Sequence, residues 1–177
     1  MYTPINNYVF IDGNNLRLTY LNLKIEFKYD KFMSYLKKNY NVCVAYYFIG
    51  YIERCKDDYD KLTALGYTMK HRDISIQHGK SVTCPKCCQT YQERTKIKCD
   101  CDADIVLQIM SEISKYDKAI IVSSDGDFDN TIKQLLLIDK LHMVLAPCKK
   151  GCSDLLVRAA RGRIAFLDEL LGEMEKY

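Results

Sequence analysis

Short apolar runs alternate with stretches of helical spacing along most of the chain. Tyr8-Val9-Phe10-Ile11 predicts a buried strand, ending in the turn residues Asp12-Gly13-Asn14-Asn15. Phe32, Met33, Tyr35 and Leu36 predict a helix over 29–39. Residues 42–49, rich in β-branched and aromatic side chains, predict a second strand. A helix over 53–65 follows, with Gly66 as its cap, and then a strand over 67–72. Residues 73–100 break this rhythm: they are polar, cysteine-rich and without period, and predict an inserted loop or hairpin. Alternation resumes with a helix over 102–114, a strand over 118–122 and a helix over 127–138. A strand over 142–145 leads to a helix over 154–160 with Ser153 as N-cap, a short strand over 163–166 and a helix over 168–174.

Strands alternating with helices predict an α/β fold: an open, mostly parallel sheet with helices on both faces. The 177 residues suit one domain, 1–177, with a cysteine-rich insert at 73–101 inside it. There is no internal repeat, low-complexity tract or linker. An apolar content of 48% excludes a disordered or fibrous chain. The first residues carry no basic start and no long apolar run, which argues against a secretory signal. No stretch approaches the roughly 20 apolar residues that span a membrane. The expected location is therefore the cytoplasm, with no membrane partner, and a homo-oligomer is left open.

The chemistry is concentrated at strand ends. In an open α/β sheet, ligands bind beyond the carboxyl ends of the strands. The first strand ends in Asp12, and the strand over 118–122 runs into Ser123-Ser124-Asp125-Gly126-Asp127, so both acidic turns fall on one edge. Asp102 and Asp104 open a helix that can begin at the same edge. Clustered carboxylates repel one another, and a hard cation such as magnesium or manganese relieves that repulsion. Such an ion, with open positions, suits phosphodiester hydrolysis. Each acid also has a plainer reading: Asp12 as a turn former, Asp102 as a helix cap, and Asp125 and Asp127 as parts of a βα turn.

Three motifs carry a resemblance. Tyr8-Val9-Phe10-Ile11-Asp12-Gly13-Asn14-Asn15-Leu16 is similar to an apolar strand followed by D-G-x-N-L. Lys98-Cys99-Asp100-Cys101-Asp102-Ala103-Asp104-Ile105 is similar to K-G-x-x-D-x-(D/E)-L, and Ile121-Val122-Ser123-Ser124-Asp125-Gly126-Asp127-Phe128 to S-G-D-G-D-F. In this order the chain resembles the NYN domains, also called LabA-like, a branch of the PIN-like nuclease superfamily. The resemblance covers nearly the whole chain apart from the insert. It implies a PIN-like, Rossmann-like fold, magnesium or manganese, and RNA as substrate. Asp12, Asp102 and Asp125 would hold the metal, and Asp127 would complete the cluster. Asn15 would orient Asp12 or a metal-bound water, and Ser123 or Ser124 would bond a phosphate or the Asp125 turn. Cys99 and Ser124 stand where the family has glycine, which touches local backbone shape and removes no acid.

Nine cysteines is a high count, and in a reducing compartment clustered cysteines bind metal more often than they pair. Cys84-Pro85-Lys86-Cys87 and Cys99-Asp100-Cys101 flank a polar loop and match tetrahedral zinc, with Cys88, His71 or His78 able to replace one ligand. Reduced free thiols, or a disulfide, are the other readings. Cys43, Cys55, Cys148 and Cys152 read as buried or incidental thiols, and His142 as a structural residue in an apolar strand.

The net charge of +3 says little; its distribution says more. Lys149, Lys150, Arg158, Arg161 and Arg163 form one basic stretch, and Lys80, Lys86, Arg94, Lys96 and Lys98 another. Lys149 and Lys150 follow a strand and should emerge near the acids, where they could track a phosphate backbone; ordinary solvated faces are the plainer reading. Some of the 14 tyrosines could stack on single-stranded bases. The leading expectation is a metal-dependent ribonuclease acting on single-stranded RNA, with DNA not excluded. The rival is a silent RNA-binding or protein-interaction module on the same fold. A phosphoaspartyl phosphatase would want an Asp two residues after its nucleophile, and that position holds Asn14.

Overall fold

The apolar runs become the strands of one sheet. The computed structural model describes residues 5–77, 79–92 and 96–177. In chain order the first elements are β1 (Asn7–Asp12), α1 (Gly13–Leu23), α2 (Tyr29–Tyr40), β2 (Val42–Gly50), α3 (Lys56–Ala64) and β3 (Tyr67–Arg72). The insert supplies β4 (Ser75–Gln77), β5 (Ser81–Thr83), β6 (Thr90–Gln92) and β7 (Lys96–Lys98). The chain continues with α4 (Asp102–Ser111), β8 (Ala119–Val122), α5 (Asp129–Leu137), β9 (Leu141–Ala146), α6 (Asp154–Ala160), β10 (Ile164–Phe166) and α7 (Leu167–Met174).

Six strands form one sheet in the order β10-β9-β8-β1-β2-β3, and every neighbouring pair is parallel. Counted without the insert, this is the doubly wound order 3-2-1-4-5-6. Its crossovers reverse direction between β1 and β8, which opens a crevice at their carboxyl ends.

The strands alternate between two cores, as a period of two requires. Val9, Ile11, Ala45, Tyr47, Ile49, Ile120 and Val122 face one core, with side chains of α1, α2, α3 and α7. Phe10, Tyr46, Phe48, Ile121 and Val144 face the other, with side chains of α4, α5 and α6. Both faces of the sheet are therefore covered by helices, as expected of a parallel sheet. Buried Asn7 fixes the start of β1: its Nδ2 donates to Tyr40 O at 2.7 Å and its Oδ1 accepts from Lys118 N at 3.1 Å.

Four local differences from the sequence reading have physical causes. The turn expected at 12–15 is the start of α1: Asp12 caps it by accepting from Asn15 N at 3.0 Å, and buried Leu16 and Tyr20 anchor it at i, i+4 spacing. The helix expected from residue 53 begins with a 3₁₀ turn over Glu53–Cys55, and the one expected from 127 with a 3₁₀ turn over Gly126–Phe128. Ser153 precedes α6 without a side-chain capping bond; an added Cβ on Gly126 would meet its Oγ at 2.5 Å. Gly66 ends the α3 turn as expected, with φ +99° and its N–H on Thr63 O at 2.9 Å.

The insert folds as two small antiparallel ladders, β4 with β7 and β5 with β6. No helix among the described residues is long and apolar enough to cross a membrane.

Candidate metal centre

The crevice at the carboxyl edge is acidic. Asp12 is the last residue of β1, Asp125 and Asp127 lie in the turn between β8 and α5, and Asp102 opens α4. One carboxylate oxygen from each of Asp102, Asp125 and Asp127 lies within 4.8 Å of the other two. Among the described residues this is the one set of three or more acidic, cysteine or histidine ligand atoms so placed.

Local bonds set the aim of these acids. Asp125 Oδ1 accepts from Asp127 N at 3.0 Å, which closes the acidic turn. Phe128, fully buried, anchors that turn in the core. Asp102 N donates to Asp100 Oδ1 at 3.1 Å, so Asp100 shapes the start of α4 in place of a side-chain cap from Cys101.

Asp12 stands behind this set and outside it. It is buried, with Oδ1 on Asn15 N and Oδ2 accepting from Ser123 Oγ at 3.3 Å. Ser123 Oγ also accepts from Asp125 N at 3.1 Å, so one buried hydroxyl ties the β1 acid to the β8 acid. The Asn15 side chain holds the Ser124 turn: its Oδ1 accepts from Ser124 N at 3.0 Å and Ser124 Oγ at 2.9 Å. Both serines thus hold the site together from within. The motif singled out Ser123 and Ser124, but nothing in the sequence distinguished a hydroxyl facing the protein from one facing a ligand.

The electrostatics record the crowding. Burial, then Asp12, Asp100, Asp125 and Asp127, pushes the Asp102 carboxyl up to about 7. Burial also raises Asp12, opposed by the bonds from Asn15 and Ser123 and reinforced by Asp125. Among the described residues no cation pairs with these acids; Arg72 pairs with Asp104 instead, at 2.5 Å. Oxygen-only donors, converging and under mutual repulsion, fit a hard divalent cation.

Lys149, expected near the edge, is engaged, as are Arg158 and Arg163 of the same basic stretch. Lys149 binds Glu169 through Nζ at 2.9 Å and Asp168 through its backbone N–H. Arg158 and Arg163 donate to the carbonyls of Asp154 and Leu141. Lys150 and Arg161 are exposed. In the insert, Arg94 and His78 lie outside the described residues, as do the side chains of Lys96 and Lys98.

The four candidate zinc ligands fall into two pairs. Cys84 and Cys87 are close, and the N–H groups of Cys87 and Lys86 hold the Cys84 thiol below its ordinary value, which favours thiolate. Cys99 Sγ and Cys101 Sγ lie 3.4 Å apart, against the core beneath β2. Burial and Cys99 raise the Cys101 thiol. Among the described residues no three of these sulfurs converge as the acids do. His71 lies against Tyr51 and Tyr59, and His142 against Tyr40, where burial lowers its pKa.

Comparison with known proteins bears on the family and the fold. The chain is 25% identical over 185 residues to the low amplitude and bright protein LabA of Synechococcus elongatus, covering 99% of this chain and 90% of that protein. Its fold matches the crystal structure of a protein of unknown function from Vibrio parahaemolyticus with a TM-score of 0.72, at 16% identity, covering 96% of this chain and 98% of that one. The family model for the NYN domain matches residues 6–168, and the chain belongs to the NYN domain family.

Proposed function

We propose that this protein is a metal-dependent ribonuclease that hydrolyses phosphodiester bonds of single-stranded RNA. The observation that carries the reading is the convergence of Asp102, Asp125 and Asp127 at the crevice between β1 and β8. Magnesium or manganese would be held by those three carboxylates, with Asp12 adding charge from behind. Bound there, such an ion supplies Lewis acidity toward a phosphate and a water of lowered pKa.

The chain's own residues do the positioning. Ser123 fixes Asp12 against Asp125, and Asn15 fixes the Ser124 turn. Burial and the neighbouring acids push the Asp102 carboxyl up to about 7, and with its proton lost it serves as a ligand. Lys150, exposed beyond β9, is the basic residue we assign to the RNA backbone. We take residues 1–177 as one PIN-like domain with 73–101 as its insert, working in the cytoplasm.

Within the insert we propose structural zinc on Cys84, Cys87, Cys99 and Cys101. The supporting feature is the Cys84 turn, whose amides favour thiolate. A shared ion requires the two cysteine pairs to approach each other. Metal analysis of protein purified without added zinc should give about one equivalent; less than about half removes this assignment.

The nuclease reading is tested by incubating end-labelled single-stranded RNA with the protein in manganese, in magnesium and in EDTA. Cleavage with metal alone is expected. RNA retarded on a gel yet uncut in every condition would replace the nuclease with a binding module.

A further inference from the structure

On the face of the sheet that carries α1, α3 and the 24–29 connection, a cavity of about 480 Å³ opens, with Asn14, two residues after Asp12, in its lining. Phe27, Tyr29, Tyr47, Tyr59, Ile52 and Leu62 give it aromatic and aliphatic walls, and charged residues line it too. Asn14 forms the boundary with the acids. It lines the cavity, follows Asp12-Gly13, and donates from Nδ2 to Cys99 O at 3.3 Å, on the segment that leads into Asp102. Tyr47 packs so tightly on Gly13 that an added Cβ would meet its ring at 2.3 Å. The cavity and the acid site therefore share a wall.

The polar groups of the cavity narrow its occupant. The tyrosine hydroxyls are taken by the protein: Tyr29 with Tyr47 at 3.1 Å, Tyr59 with Gly50 O at 3.1 Å. Lys28 pairs with Glu175 and Lys61 with Asp58. Arg17, exposed one helical turn beyond Asn14, has no carboxylate partner among the described residues. Glu26 and Asp30, both exposed, line it as well and have no ion-pair partner among the described residues. The site thus offers apolar walls, few free polar groups inside, and at its exposed rim two carboxylates and one unpaired cation, Arg17, a helical turn from Asn14. A sugar would leave its hydroxyls unsatisfied there, and a bare phosphate would enter an apolar space. A planar heterocycle joined to a phosphate matches both parts, since bases stack on aromatic side chains without needing edge readout.

We propose that this cavity receives one unstacked base of the RNA strand, with Arg17 on the phosphate that joins it to the residue at the acids. This rests on the nuclease reading for its substrate but not for its measurement. Stacking without base-edge contacts gives a tolerant pocket that holds purines more tightly than pyrimidines.

The test is a methyl NMR titration of the full chain in EDTA with adenosine 5′-monophosphate, and separately with ribose 5-phosphate. The nucleotide should shift the methyls of Ile49, Ile52 and Leu62 and leave Ile105 and Ile109, on the opposite face, unmoved. Ribose 5-phosphate should shift none of them. Leu65→Trp, at the cavity wall, should abolish the nucleotide shifts. Arg17→Ala, at an exposed helix position, should weaken them by about two- to fivefold and tests the pocket even if the tryptophan variant does not fold. Cavity methyls that stay still with the nucleotide, or that move equally with ribose 5-phosphate, would overturn the proposal. RNA cleavage is scored apart. Cleavage without nucleotide in the cavity removes the base pocket alone. Nucleotide in the cavity without cleavage supports the pocket and removes the nuclease reading.

Discussion

Asp102 carries an electrostatic load that can be measured. Its folded pKa, about 7, lies above its ordinary value of 3.8. For a carboxyl raised on folding, the folded state keeps a proton that the unfolded state has released, so stability falls as pH rises from about 4 to 7. A cation needs the deprotonated form, so its affinity must rise with pH until just above 7. Manganese should bind about tenfold more tightly at pH 8 than at pH 6, in calorimetric titrations. A flat profile would mean that Asp102 does not exchange a proton for the ion.

Ser123 gives a second prediction at this scale. Ser123→Ala leaves Asp12 Oδ2 and Asp125 N–H without their shared partner in a buried place. It should cost about 1–3 kcal/mol in urea unfolding. Asp12 and Asp125 were legible in the sequence because strand-end acids follow from the topology rule. The inward aim of Ser123 was not, since a serine beside an acid reads the same whether it faces ligand or protein. The role of Asp100 was hidden for a similar reason: its bond to Asp102 N depends on the bend at Cys101.

At the scale of elements, the acids depend on how closely backbones approach. Gly13 lies where a Cβ would meet the Tyr47 ring at 2.3 Å and Phe48 O at 2.6 Å. Gly126 meets only the short Ser153 side chain so closely, at 2.5 Å. Gly13→Ala should therefore lose more stability than Gly126→Ala, about 3 against about 1 kcal/mol, read from urea midpoints. Equal losses would mean that Tyr47 has room to move. Most strands were legible here because buried runs such as Ala119–Val122 have no other use. Helix α1 was missed because Gly13-Asn14-Asn15 are poor helix formers, and the cap bond from Asp12, with Leu16 and Tyr20 on the core face, outweighs their propensity.

At the scale of the molecule, an alternating pattern announces a parallel sheet but not its strand order. The pairing of β1 with β8 joins Tyr8 to Ala119 and Ile11 to Val122, across all of the intervening chain, and no local pattern encodes it. That pairing builds the candidate site, because it creates the crevice where Asp102, Asp125 and Asp127 converge with Asp12 behind them. The insert shows the opposite case: its cysteine spacing was plain, while the separation of its two pairs depends on ladders too short to read.

The central claim, that the acids at this crevice hold a cation for RNA cleavage, is tested most directly by assaying Asp125→Asn beside the unaltered protein. The substitution keeps the Oδ1 acceptor for Asp127 N and removes the charge. With end-labelled single-stranded RNA and manganese, the unaltered protein should cut, and the variant, still folded, should lose at least about a hundredfold in rate. Equal cleavage by both proteins, or cleavage that persists in EDTA, would contradict the account.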